Sequence, residues 1–255
     1  MSVNQKKVGH MTEKKCCNIL GTEILVTNMA DTVERIERGI EDLRGAYICV
    51  GNVHTTVMAH DNPAYHRVQR EAAFVLPDGK PLSVYSRRHG FPGAERVTGP
   101  DLMLALFGRK NHMRHYFYGG KEETLAMMRK KLNDEYPHLS VAGMESPPFR
   151  TLTKEEDKAS VSRINDAGAD IIWVGLGAPK QENWMYEHKG KVNGVMIGVG
   201  AGFDYYAGNI KRAPRIMQKL SLEWLYRLLQ EPRRLLKRYF VTNTRYLWLL
   251  HKERG

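Results

Sequence analysis

DIIWVGLGAPKQENWM, residues 170–185, is the stretch that decides the fold. Asp170–Gly175 is a short apolar run rich in β-branched and aromatic side chains, the signature of a buried strand. Gly175 and Gly177 break it, Pro179 can open a helix, and Lys180, Gln181 and Glu182 crowd the first turn. Residues 194–204, GVMIGVGAGFD, repeat the same passage from strand to glycine turn. Working outward, further strands are expected at Asn18–Thr27 (a hairpin around Gly21), Tyr47–Asn52, Ala73–Leu76, His115–Tyr118 and Ser140–Met144. Helix-period segments separate them. Asp31 with Glu34, and Thr153 with Glu156, read as capping boxes, and Gly99-Pro100-Asp101 places Pro at a helix start. This alternation predicts an α/β fold with a largely parallel sheet and helices on both faces. In such sheets ligands bind beyond the carboxyl ends of the strands, so the loops that follow strands are where function is sought.

The chain has 255 residues, 42% of them apolar, enough for one large α/β domain or a domain with an appendage. Three regions are expected: a tail over residues 1–15, an α/β domain over 16–208 and a basic helical appendage over 209–255. The net charge of +11 is unevenly placed. Residues 209–255 hold 12 Lys or Arg against 3 Glu, whereas residues 1–208 are nearly balanced at 27 against 25. Such a block suits an anionic surface: lipid headgroups, a diphosphate or nucleic acid. On the last expected helix, opened by Pro232, Arg234 and Arg238 share a face beside Leu235, Leu236, Tyr239 and Phe240. An interfacial helix has this composition, and so does an ordinary helix packed on the core. The apolar run Tyr246–Leu250 is far shorter than the roughly 20 residues of a spanning helix. The basic, polar N-terminus is followed by no signal-peptide core, and three cysteines without metal spacing fit a reducing cytosol. Cys16 and Cys17 read as apolar residues opening a strand, with lipidation as the alternative.

Five loops carry candidate chemistry. In Leu76-Pro77-Asp78-Gly79 a carboxylate sits just past a strand; it is either a base or the cap of a helix beginning near Lys80. Gly119 and Gly120 allow backbone N–H groups to approach a phosphate at a helix start. Lys180 and Gln181 stand where an anion or sugar hydroxyl can be met, and Asp204 can accept from a ribose or sugar hydroxyl. Arg96 lies beside the Gly99-Pro100 helix start, a phosphate-binding context. Each has a structural alternative: a turn, a solvated first turn, a buried pair, a surface ion pair. The histidines, His54 among them, form no metal-ligand set. GxGxxG, P-loop and GxSxG patterns are absent, and no DxD-like pair marks a metal-dependent transferase. Arginines and lysines are therefore expected to neutralise any departing diphosphate, with no metal and no other cofactor.

In order, LPDG (76–79), ERVTGPDL (95–102), GG (119–120), GLGAPKQE (175–182), GVGAGFD (198–204), KRAP (211–214) and EWLYRLLQEPRR (223–234) resemble the WecG/TagA/CpsF glycosyltransferases, glycosyltransferase family 26. The resemblance runs from about Cys16 to Phe240. It implies a metal-independent, inverting hexosyltransferase with a Rossmann-like core and a C-terminal basic appendage, peripheral on the cytoplasmic face of the cell membrane. The implied donor is a UDP-sugar and the implied acceptor an undecaprenyl-diphosphate-linked N-acetylglucosamine, in teichoic acid, capsule or exopolysaccharide synthesis. The best-known members transfer N-acetylmannosamine or its uronic acid. By the same resemblance Asp78 matches the general base, Asn52, Arg96 and Gln181 line the pocket, and Arg227, Arg234 and Arg238 close over the diphosphate. Two departures fall beside the expected sugar site. Val50 stands where teichoic-acid members have Thr, and Asn52-Val53-His54 replaces the usual Asn-Pro. They leave the donor open among N-acetylmannosamine, glucose and a uronic acid.

Two other classes compete. A nucleic-acid-binding protein accounts for the basic tail but gives no reason for the glycine loops, so nucleic acid is not an expected partner. A dinucleotide oxidoreductase lacks its fingerprint. Self-association is left open by the sequence.

Overall fold

The computed structural model of the chain describes residues 14–214, 216–217 and 222–253, with the Arg234 side chain outside that description. Nearly all of the tail expected over 1–15 thus lies outside the described residues, as does much of 215–221. A hairpin of β1 (Cys16–Ile19) and β2 (Thr22–Leu25) leads into α1 (Met29–Arg38), β3 (Tyr47–Gly51), α2 (Val53–Asp61) and α3 (Pro63–Arg70). There follow β4 (Phe74–Pro77), α4 (Lys80–Arg88), α5 (Gly99–Phe107), β5 (Arg114–Gly119), α6 (Glu122–Glu135), β6 (Ser140–Glu145) and α7 (Lys154–Asp166). The chain continues through β7 (Ile171–Gly175), α8 (Lys180–Glu187), β8 (Val195–Gly198) and α9 (Gly202–Ala207) to α10 (Glu223–Gln230) and α11 (Pro232–Lys252). Strands β3 to β8 form a six-stranded, all-parallel sheet in the order β4-β3-β8-β7-β5-β6. The expected α/β class and parallel sheet are what the structure has.

Both faces of the sheet are covered, and the strands show how. On β3, Ile48 and Val50 enter one apolar cluster while Tyr47 and Cys49 enter the other. The period of two along a strand sends alternate side chains to opposite faces, so a doubly covered strand reads as a continuous apolar run. Helices α1, α5, α6 and α9 supply Ile36, Leu102, Met128 and Phe203 to the first cluster. Helices α2, α3, α8 and α11 supply Val57, Tyr65, Met185 and Leu249 to the second. Cys17 is buried in the core and Cys16 packs against it, in keeping with their reading as apolar residues at a strand start.

Helix starts follow local chemistry, with one correction. Thr153 and Glu156 form the expected capping box on α7. Asp31, by contrast, is not a cap: Asn28 is the N-cap of α1 and accepts from the Asp31 N–H at 2.9 Å. Asn is as good a cap as Asp, and the residue that reaches extended φ/ψ first takes the role. Helices α2 and α3, unassigned in the sequence, start at Asn52 and at Asn62-Pro63, each Asn accepting two backbone N–H bonds.

The last helix joins the core by one face only. Leu235, Thr242, Tyr246 and Leu249 are buried, a spacing that returns to the same side of a helix, and α11 packs along α2. Arg245 reaches Asp61 of α2 at 2.8 Å. On the other side Leu236, Phe240, Val241, Leu247 and Trp248 are 51–73% exposed. Among the described residues no helix is long and apolar enough to cross a membrane.

This docking predicts a contrast in chemical denaturation. Leu249→Ala, at a 3% exposed position, should cost about 2–5 kcal/mol, whereas Leu247→Ala, at 66%, should stay within about 0.5 kcal/mol. Equal effects would mean that α11 does not pack as described.

Candidate active site

The site grows from the carboxyl ends of β3 and β4. These strands pair in register with Gly51 opposite Pro77, and the Asp78 N–H extends the ladder by donating to the Gly51 carbonyl at 2.8 Å. The segment before α5 returns along the same edge, with the Val97 N–H on the Pro77 carbonyl at 2.8 Å. Residues 78 and 96 are thereby held on adjoining backbones. Asn52 adjoins them: a Cβ on Gly79 would stand 3.7 Å from the Asn52 Cβ. Beside β3, strand β8 sends its following helix α9 to the opposite face of the sheet from α2. Where neighbouring strands part their helices in this way a crevice opens, and Asp78 lies at it.

Asp78 does not cap the next helix. The N-cap of α4 is Gly79, and no side chain bonds to that helix start. The carboxylate is instead only partly exposed at the strand end, with no hydrogen bond to it among the described residues. Burial pushes its pKa up to about 6; Arg96 and Arg227 pull it down, while Glu223 and Asp101 push it further up. A carboxyl at that value is about nine-tenths ionised at pH 7 and a far better proton acceptor than a free aspartate.

The basic residues come from the segment before α5 and from the C-terminal helices. Arg96 makes an ion pair with Glu223, the first residue of α10. One turn along, Arg227 stands over the Tyr205 ring, 5.7 Å from its centroid, and its Nε is buried without a hydrogen-bond partner among the described residues. Arg238 on α11 also has a buried Nε with no hydrogen bond among the described residues. It lies near His54, whose pKa is lowered first by burial and then by that guanidinium. His54 Nδ1 is 3.4 Å from the Thr242 hydroxyl of α11. Unsatisfied guanidinium N–H groups are costly, and both of these Nε donors are left available to an acceptor from outside the described residues. The Arg234 side chain lies outside the described residues.

The remaining candidates take other positions. Asn52 caps α2, its Oδ1 accepting from the His54 and Thr55 N–H groups, and its amide N–H₂ makes no hydrogen bond among the described residues. Gln181 is buried and works as a clasp. Its Oε1 accepts from the N–H groups of Gly177 at 3.2 Å and Gly200 at 3.0 Å, and its Nε2 donates to Glu182 at 2.7 Å. It thus ties the loop after β7 to the loop after β8. Gly119 and Gly120 are accounted for by close packing: at φ +120°, a Cβ on Gly119 would lie 2.6 Å from the Gly175 carbonyl oxygen, and Gly120 abuts Phe203. Helix α6 behind them opens with Glu122 and Glu123, which disfavours an anion at its start. Lys180 is exposed at the start of α8. Asp204 turns toward α6, accepting from Asn209 at 3.0 Å and from Thr124 at 3.4 Å. The structure therefore gathers Asp78, Arg96, Asn52 and Arg227, sets Arg238 beside His54, and places Gln181 beneath the loops.

Tyr205, Glu223 and Glu182 were not singled out in the sequence as site residues of their own. The Tyr205 ring lies under Arg227, and its pKa is raised chiefly by burial, against the lowering effect of Arg227, with smaller upward contributions from Glu223, Tyr239 and Asp78. Glu182, fully buried, has its pKa raised by burial and keeps one oxygen without a partner among the described residues. Among the described residues no group of three or more His, Cys, Asp or Glu is placed to hold a metal ion.

The description "Glycosyl transferase WecG/TagA/CpsF family" matches residues 17–255. A curated relative from Bacillus spizizenii, N-acetylglucosaminyldiphosphoundecaprenol N-acetyl-beta-D-mannosaminyltransferase, is 31% identical over 198 residues, 76% of this chain and 75% of that protein. The chain belongs to the WecG/TagA/CpsF glycosyltransferase family.

The raised Asp78 pKa has a definite sign for stability. Its folded-state value lies above the unfolded one, so the proton is bound more tightly in the fold and stability is lost as pH rises from about 4 through about 6. Asp78→Asn should therefore stabilise the protein at pH 8 by on the order of 2–3 kcal/mol, a gain that shrinks toward pH 4. Urea denaturation of both proteins across this range measures it; a variant less stable than wild type at pH 8 would contradict the assignment.

Proposed function

Proceeding from family membership, we infer that the chain transfers a single hexose, N-acetylmannosamine or a close relative, from a UDP-sugar to undecaprenyl-diphosphate-linked N-acetylglucosamine. The observation that carries this reading is a basic carboxylate at the sheet's edge beside the guanidinium groups of Arg96 and, from the C-terminal segment, Arg227. Asp78 takes the proton from the acceptor hydroxyl as that oxygen bonds to the anomeric carbon. The bond from that carbon to the donor's phosphate oxygen breaks on the opposite face, UDP leaves, and the configuration inverts. Charge develops on the departing diphosphate, and Arg96 with Arg227 supplies compensating positive charge in a partly desolvated crevice, where such charge acts most strongly. The reaction then needs no resident metal. Asn52 offers its amide N–H₂ to a sugar hydroxyl, Arg238 offers its free Nε to a second phosphate, and Gln181 keeps the loops after β7 and β8 in place. The relative's printed name specifies a β-linked mannosaminyl product, which a single displacement on an α-linked donor gives.

The lipid acceptor requires contact with a membrane, and α11 offers the means. Leu236, Phe240, Val241, Leu247 and Trp248 form its outer side, with Arg233 and Lys237 exposed nearby. Aromatic and aliphatic groups flanked by cations bind an anionic interface peripherally, through buried area and headgroup attraction together. The protein acts, on this reading, on the cytoplasmic face of the cell membrane.

Two assays test it. Incubating the protein with a panel of UDP-sugars and a short-chain polyprenyl-diphosphate N-acetylglucosamine, with and without EDTA, should yield one acceptor gaining one sugar unit in the mass spectrum, unaffected by chelator. Asp78→Asn should lower that turnover by at least about a hundredfold; no sugar gain with any donor would overturn the reading. Sedimentation with anionic liposomes should fall several-fold in a Phe240→Ser, Trp248→Ser double variant.

A further inference from the structure

The Arg96–Glu223 ion pair joins side chains 127 residues apart, and it sits in the place where the reaction needs a free cation. Both side chains are about one-quarter exposed, so the pair is partly withdrawn from water and neither partner is simply solvated. A second tie holds the same segment: Arg212 Nη2 donates to Asp101 Oδ1 at 2.6 Å, on the first turn of α5. The Gln230 amide then closes on the Lys211 carbonyl at 3.2 Å. Glu223 and Arg227 are four apart on α10, so one face of that helix presents one acid and one base. Both act electrostatically on Asp78, in opposite directions.

The charges do not suit a bound diphosphate as they stand. Arg212 is committed to Asp101 and Arg96 to Glu223, while Arg227 has Glu231 Oε2 at 3.9 Å from its Nε and acts on the Asp78 carboxylate without a hydrogen bond to it among the described residues. A diphosphate arriving at Arg96 would meet the Glu223 carboxylate at the same guanidinium. Like charges sharing a low-dielectric site repel strongly, so one must leave. An acid provided by the chain itself in a phosphate-binding position is a stand-in for the ligand.

We propose that Glu223 is an internal competitor for the leaving-group subsite: its carboxylate occupies Arg96 in the substrate-free protein, and the incoming diphosphate displaces it. This rests on the reading of the site as a UDP-sugar site and adds what that reading lacks, a state before substrate arrives. Displacement breaks one of the ties between α10 and the core and leaves Arg227 and Arg96 on the same anion. Binding of the donor is thereby coupled to rearrangement of the segment leading to the membrane-facing helix. The alternative role for Glu223 is to aim Arg96, and the two differ in sign.

Isothermal titration at low, fixed ionic strength separates them, with inorganic pyrophosphate and UDP each titrated into wild type, Glu223→Gln and Glu223→Asp. Gln keeps the shape and hydrogen bonding without the charge; Asp keeps the charge on a side chain one methylene shorter. Internal competition predicts that Glu223→Gln binds both probes about tenfold more tightly, with Glu223→Asp between it and wild type. Unchanged or weaker binding by Glu223→Gln, in a protein whose circular dichroism and unfolding midpoint match wild type, would overturn it. Loss of native circular dichroism in both variants would also overturn it, since a displaceable group cannot be one the fold requires. If pyrophosphate follows the predicted order while UDP binds to none of the three, the competitor stands and the UDP-sugar reading falls.

Discussion

A single carboxyl group at the end of β4 is withdrawn from water enough to resist ionisation, and the rest of the arrangement answers to that. Asp78 is placed by backbone rather than by side-chain bonding: its N–H is fixed on Gly51 and its neighbour Pro77 on Val97. An all-parallel sheet makes this possible, because every strand delivers its carboxyl end to the same edge and both faces are sealed by helices. The cost of burying the charge is offset only in part by Arg96 and Arg227, so the group stays basic while remaining mostly ionised near neutrality. Hydrogen-bond donors to the carboxylate, none of which come from the described residues, would make it a poorer base.

The C-terminal segment is best understood as two surfaces on one strip of chain. Its inner side contributes Leu235, Tyr246 and Leu249 to the core and Arg227 and Arg238 to the strand ends. Its outer side exposes Phe240 and Trp248 among basic residues. If the acceptor is lipid-linked, as proposed, a soluble donor and a lipid have to be brought to one point. On the proposed reading, cations for the diphosphate on the same helix pair that meets the bilayer would satisfy both requirements. The Arg96–Glu223 pair then gives that segment a defined resting position against the core.

What could be read from the sequence, and what could not, follows physical lines. The strands were legible because burial on both faces leaves no polar positions, as in Ile171–Val174 and Tyr47–Val50. The Thr153–Glu156 box was legible because both partners are local. Asp31 was misread because the capping rule does not distinguish it from Asn28, three residues earlier. Helices α2 and α3 are short and begin at Asn52 and Asn62 without an acidic partner three residues on, so their start signal is weak. Gly119 and Gly120 look like phosphate-binding residues in one dimension, yet Gly119 faces Gly175, a neighbour across the sheet that no local pattern reveals. The same limit hid Tyr205 and Glu223 as partners of Asp78, since only folding brings positions 78, 96, 205 and 223 together. Asp78 itself was found by its place after a strand, while its freedom from a capping role had to come from the structure.

The central claim is that Asp78 is a carboxyl made basic by its surroundings. The most direct measurement is a carbon-13 NMR titration of the Asp78 carboxyl resonance, assigned by its loss in Asp78→Asn. The account predicts a midpoint near pH 6. A midpoint near the free-aspartate value of about 4 would contradict it, because a side chain ionising there is neither desolvated nor suited to take a proton from a sugar hydroxyl.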